Sequence, residues 1–324
     1  MDTQPQATAA GTPSAAGGAA SSPPLSLGGR PRRGERLILA LLAICGGISV
    51  LTTVGIVVVL FVDAAGFFRQ VSIVEFLTDT AWRPFGSVET GRFGILPLLN
   101  DTLLVTAIAM VVAIPLGLGT ALYLSEYAPR KVRSWLKPLL ELLAGVPTVV
   151  LGYFALTFMT PLLRTIFGVD TVNIFNAASA GIVMGIMIVP TIASLSEDAL
   201  SAVPRGLRES AYGLGATKRQ VALRVVTPAA LSGIVAAVIL GMGRAIGETM
   251  IVAIAGGGIP TLTANPFSQI QAMTAYIVQA VGGEAARGSL TYQSIFAVGA
   301  VLFILTFVLN VLAQRFVRRY REVY

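Results

Sequence analysis

Two full charges, Arg244 and Glu248, stand inside an otherwise uncharged apolar run, residues 231–255. At the centre of a membrane span a charged side chain costs on the order of 2.5–3.5 kcal/mol even on insertion scales, so a partner or a water-filled path must offset it. On a continuous helix, side chains four residues apart project from one face. Arginine offers a planar fork of donors that matches two oxygens of an oxyanion, and it keeps its proton in a poorly hydrated pore. A carboxylate nearby sets the strength of that attraction or accepts a hydrogen bond from an anion that still carries a proton. The structural alternative is an ion pair, within this helix or with a neighbour. Arg ahead of Glu is the weaker order for a local pair.

The rest of the chain supplies the bilayer setting. Across 324 residues, 55% hydrophobic content, 12% charge and a mean hydropathy of +0.78 are too apolar for a soluble globule. The net charge of +7 does not indicate nucleic acid, because the basic residues fall in short patches between apolar runs. A single cysteine, Cys45, rules out an intrachain disulfide or cysteine metal site. With no histidine, neither a Ser-His-Asp nor a Cys-His relay can be assembled, and the commonest metal ligand is missing. No Gly-Lys-Ser/Thr occurs, so ATP-driven work would draw on another subunit. Gly241, Gly243 and Gly247 lack dinucleotide-motif spacing and read as close helix packing. No catalytic residue, metal site or cofactor is expected in this chain.

Six apolar runs are of a length to cross a hydrocarbon core of about 30 Å. They cover residues 37–62, 102–125, 139–163, 178–195, 231–255 and 294–314. Asn100 and Asp101 are expected to cap the second run, Glu141 to open the third with Pro147 in its body, and Gly181 and Gly185 to form a small-xxx-small face on the fourth. Residues 1–29, rich in Ala, Gly, Pro and Ser, are expected to form a disordered cytoplasmic tail ahead of a single transmembrane domain, 30–324. If the N-terminus is cytoplasmic, inside segments hold 17 Lys and Arg and outside segments 5. That asymmetry places both termini and residues 196–228 inside, and loops 63–93 and 260–287 outside.

The inner loop reads Glu209-Ser210-Ala211, three residues, Gly215, nine residues, Val225, and then Thr227-Pro228. This predicts a short helix over 209–214 ended by Gly215 and a second over 217–226 closed by Pro228. Such a pair makes a compact knob; the plainer reading is a solvated basic loop. The pattern resembles the Glu-Ala-Ala signature of bacterial ABC importer permeases. Ser210, Val225 and Thr227 depart from it, while Glu209, Gly215 and Pro228 stand in register. Residues 123–127 (YLSEY), 143–150 (LAGVPTVV), 186–191 (IMIVPT) and 243–249 (GRAIGET) are similar to stretches of the PstC family, permeases of phosphate-specific ABC importers. The likeness covers about residues 35–320.

The resemblance implies an all-α type I ABC importer permease with six transmembrane helices, in the bacterial cytoplasmic membrane. With a phosphate substrate, the chemistry of Arg244 and Glu248 places both in the expected anion pathway. The resemblance also implies a coupling segment, about residues 201–228, in which Glu209, Ser210, Ala211, Gly213, Leu214, Gly215 and Pro228 meet an ATPase. The implied partners are a PstA-like second permease, two PstB-like ATPase subunits and a PstS-like extracytoplasmic phosphate-binding protein. Two other readings remain: a permease for another oxyanion or small solute, and an ion-coupled secondary transporter acting alone.

Overall fold

The computed structural model describes residues 33–85 and 91–319; the tail expected over 1–29 lies outside the described residues. The chain forms two units, one ending at Val54 and one beginning at Gly55. The described part of the first is the N-terminal stretch of helix α1 (Arg33–Phe68), with the side chains of 37–54 exposed. An apolar helix of this kind is made for lipid.

In the second unit the remainder of α1 leads through α2 (Ile73–Thr78) to a ribbon of β1 (Trp82–Arg83) and β2 (Arg92–Phe93), with Trp82 opposite Phe93. Next come α3 (Leu96–Leu122), extended by a wide turn to Tyr127, α4 (Arg130–Ala144), α5 (Thr148–Phe154) and α6 (Thr160–Phe167). Helix α7 (Ala177–Ser201) precedes three short helices, α8 (Arg205–Gly213), α9 (Lys218–Val221) and α10 (Thr227–Ala229). Then follow α11 (Leu231–Gly247), α12 (Met250–Ala255), α13 (Met273–Gln279) and α14 (Leu290–Arg319).

Among the described residues, five helical stretches are long and apolar enough to cross a membrane: Leu37–Phe68, Leu96–Tyr127, Thr148–Phe167, Ala177–Ser201 and Leu290–Arg315. A sixth crossing is the bent pair Lys218–Ala229 and Leu231–Gly247, whose two helices meet at 72°. The protein is thus an all-α, six-span membrane protein.

Helices α3 and α7 form the centre, and small residues set their distance. A Cβ added at Gly181 would stand 2.7 Å from Ile108 Cβ, and one at Gly185 2.7 Å from the Ala109 carbonyl oxygen. Around this contact Val105, Met184, Met187, Ile188, Ile251 and Val252 build the main core. A second core of Phe67, Phe76, Trp82, Phe93 and Tyr276 joins the ribbon to α13, its rings meeting edge to face.

Several boundaries differ from the sequence expectation. The second span begins at Leu96 with Pro97 in its first turn, so Asn100 and Asp101 lie inside the helix and do not cap it. The third expected span divides: α4 ends at Ala144, Pro147 stands at the N-cap of α5, and the crossing runs from Thr148. Glu141 therefore belongs to α4 and not to a span. Helix α7 extends to Ser201 and takes Glu197 and Asp198 out of the inner loop. The run 231–255 is not one helix, since α11 stops at Gly247 and Glu248 is extended (φ −68°, ψ 133°).

Candidate functional site

The break between α11 and α12 separates the two charges by role. Arg244 occupies the last turn of α11, where the unpaired carbonyls favour a cation. Its Nη1 donates to Thr191 Oγ1 on α7 at 3.0 Å, and its other guanidinium nitrogens have no acceptor among the described residues. Glu248 lies beyond the helix end. Its Oε1 accepts from the N–H groups of Met250 (3.1 Å) and Ile251 (3.4 Å), so it satisfies the first amides of α12. Thr274 Oγ1 on α13 donates to the Glu248 carbonyl oxygen at 2.8 Å.

The shared helix face expected for Arg244 and Glu248 is therefore absent, because the backbone leaves helical geometry between them. No ion pair joins them among the described residues. Arg244 is exposed and Glu248 half-buried, so the guanidinium stays open to whatever enters beside α7 and α11.

After α12 the chain turns back through Gly257 and Gly258, whose φ values of 97° and 69° favour glycine. The returning segment is fixed by three consecutive residues of α3. Asn100 Nδ2 donates to the Thr263 carbonyl (2.8 Å). Asp101, fully buried, accepts from the N–H groups of Thr261 (3.1 Å) and Gln271 (2.9 Å). Thr102 Oγ1 accepts from Met273 N–H at 3.0 Å. This triplet holds the loop that leads to Thr274 and so fixes the backbone of Glu248. The polar cluster expected to cap the second span instead finds its partners about 160 residues away in the chain.

At the other end of α7 the inner loop forms a compact helical knob. Helix α8 carries Glu209, Ser210, Ala211 and Gly213, then Leu214 projects with 91% of its surface exposed. Gly215 turns the chain at φ 81°, and Thr217 and Gln220 form a capping box at the start of α9. Pro228 does not close the second helix: it sits in the first turn of α10, and the bend comes at Ala230. Arg208 anchors the knob by donating to the carbonyls of Val203 (2.6 Å) and Leu200 (2.7 Å) and to Glu126 (3.2 Å).

Beside it, Glu197 is buried near the end of α7 and binds both Arg133 and Lys137 of α4, the latter at 3.1 Å. The hydrogen bond to Glu197 raises the Lys137 ammonium above the ordinary lysine range, against the opposing effect of burial.

Residues 113–322 match the family described as binding-protein-dependent transport system inner membrane component. The chain belongs to this family. It is 34% identical over 293 residues to the probable ABC transporter permease protein YqgH of Bacillus subtilis, covering 90% of this chain and 92% of the relative. The phosphate transport system permease protein PstC of Mesorhizobium japonicum is 34% identical over 262 residues (76% and 78% covered). PstC 1 of Mycobacterium tuberculosis is 33% identical over 290 residues (80% and 85%). Among solved structures, a bacterial alginate ABC transporter in complex with an alginate pentasaccharide-bound periplasmic protein aligns with a TM-score of 0.62 at 15% identity, over 88% of this chain and 95% of that one. The inward-facing MetNI methionine ABC transporter aligns at 0.52 and 22% identity, over 71% and 95%. The structural likenesses establish the type I importer permease fold. The protein is a multi-pass inner-membrane permease of the PstC-like type.

Proposed function

We propose that this permease forms the translocation pathway for inorganic phosphate together with a PstA-like second permease. In this reading a PstS-like extracytoplasmic protein delivers phosphate, and two PstB-like subunits hydrolyse the ATP. The observation that carries it is an arginine at a break in a membrane helix whose charge Glu248 does not neutralise. A guanidinium anchored by a single hydrogen bond to Thr191 can attract an oxyanion and still release it, as conduction requires. Glu248 Oε2, which has no partner among the described residues, faces a different task. Hydrogen phosphate carries an O–H that a carboxylate accepts; sulfate has none at neutral pH.

The knob from α8 to α10 would transmit the ATPase stroke. Leu214 and Gly213 form its tip, Glu209, Ser210 and Ala211 lie on its first helix, and Gly215 sets the corner. Pro228 precedes the bend into α11, whose last turn carries Arg244. Rotation of the knob therefore reaches Arg244 through one continuous stretch of chain. No catalytic residue, metal or cofactor is assigned to this chain.

The test is labelled phosphate uptake measured beside sulfate and molybdate uptake in cells lacking this chain, with and without its restoration. Restored phosphate uptake alone is expected; restoration of another oxyanion instead would assign the pathway to that solute.

A further inference from the structure

Helix α4 has no buried side chain, and its two faces have different partners. On one, Arg133 and Lys137 are engaged by Glu197 of α7, with Lys137 also reaching Asp198. On the other, Trp135, Leu139 and Leu142 are 81%, 60% and 71% exposed. A groove of about 410 Å³ runs along this second face, lined by Lys131, Val132, Trp135, Leu136 and Leu139. Lys131 is the one cation in that apolar lining, and neither it nor the exposed Arg130 has an ion-pair partner among the described residues.

The clamp to Glu197, Asp198 and Ser201 holds α4 at the cytoplasmic end of α7, where the span meets the inner leaflet. Tryptophan, a leucine stripe and flanking cations together are the composition of a helix lying in the interface. Water would solvate Lys131 but leave Trp135 and Leu139 uncovered. A phospholipid meets both requirements at once, with acyl chain along the stripe and phosphodiester at the cation.

We propose that the α4 groove is a binding site for an anionic phospholipid of the inner leaflet, its headgroup on Lys131 and Arg130 and a chain along Trp135 and Leu139. A zwitterionic headgroup carries its own cation and gains less. Because the opposite face of α4 grips α7 beside the knob, the lipid steadies the helix that positions Glu197. The inference rests on membrane placement and is independent of which solute crosses.

The intact transporter complex, placed in nanodiscs containing diazirine-tagged phosphatidylglycerol or diazirine-tagged phosphatidylcholine, tests it by mass mapping of adducts. Phosphatidylglycerol is expected to label residues 131–139 several-fold more than phosphatidylcholine, and the wild-type comparison needs no variant. Arg130→Gln and Lys131→Gln should each lower the excess, and the double change should bring it to parity, while labelling at Trp135 by phosphatidylcholine persists. Equal labelling by the two lipids overturns the proposal, as does an α4 protected from both. Loss of adducts when phosphate replaces chloride at equal ionic strength also overturns it, since that would mark a site for the free anion.

Discussion

The Arg244 guanidinium stands 3.0 Å from the Thr191 hydroxyl of α7, while the carboxylate four residues on is held by the amides that open α12. The two charges stand four residues apart on either side of the end of α11, without an ion pair between them among the described residues. A helix break favours this arrangement, because Glu248 accepts from N–H groups that open α12 and Arg244 lies in the last turn of α11, where the helix dipole favours a cation.

Asp101→Ala leaves the N–H groups of Thr261 and Gln271 without their acceptor in a buried site. Each orphaned donor costs about 1–3 kcal/mol. Hydrogen exchange at Thr261 and Gln271 should accelerate strongly, and phosphate uptake should fall because the loop that leads to Thr274 and Glu248 loses its anchor. Unchanged exchange at both amides would show that Asp101 does not hold the loop.

Gly185→Ala drives a methyl to 2.7 Å from the Ala109 carbonyl oxygen and 2.8 Å from Val112 Cβ. Overpacking of this kind costs about 1–3 kcal/mol, so thermal unfolding in detergent should shift down. Gly243→Ala is the control, with nothing within 4 Å of the added atom. A stability loss at Gly243 equal to that at Gly185 would contradict the close α3 and α7 contact.

Leu214→Asp changes a side chain that is 91% exposed in this chain. Folding stability should stay within about 0.5 kcal/mol, yet transport-coupled ATP hydrolysis in the assembled complex should fall severalfold. A cysteine at Gly213 or Leu214 should cross-link to the ATPase in a nucleotide-dependent way. Full coupling in Leu214→Asp would remove the knob from the transmission path.

On the outer side, burial raises Asp79, but the hydrogen bonding and charge of Arg92 together with the N–H groups of Ala81 and Thr80 outweigh this and hold its carboxyl below the ordinary value. A depressed folded-state pKa contributes stability that is present above the unfolded value and lost as pH falls through the folded one. Exchange protection of the β1 and β2 ribbon should therefore persist into acid below the ordinary aspartate range. In Arg92→Gln its loss should begin at higher pH. Coincident acid profiles would deny the pair that role.

Much of this architecture is legible in the sequence because hydrophobic length and lysine-arginine asymmetry are strong, local signals. The knob is legible too: Gly215 needs a positive φ, and Thr217 with Gln220 makes a capping box within four residues. What escaped depends on distant partners or on apolar runs that merge. Residues 250–255 continue the hydrophobicity of α11, so composition does not mark the break at Glu248; amides two and three residues ahead capture its carboxylate instead. The leucines of α4 run into those of the next span, and only Gly145 and Pro147 signal the change from an interfacial helix to a crossing one. Asn100, Asp101 and Thr102 look like a helix start, and nothing nearby in the chain reveals that they hold residues 261–273.

The central claim is that Arg244 attracts the anion in transit. Its most direct test is phosphate uptake into proteoliposomes by the assembled transporter carrying Arg244→Gln, with ATP hydrolysis and complex assembly measured on the same preparation. Complexes are expected to assemble and hydrolyse ATP while uptake falls at least tenfold, corresponding to about 1.4 kcal/mol or more in the barrier. Uptake at the original rate in complexes that assemble and hydrolyse ATP would contradict it.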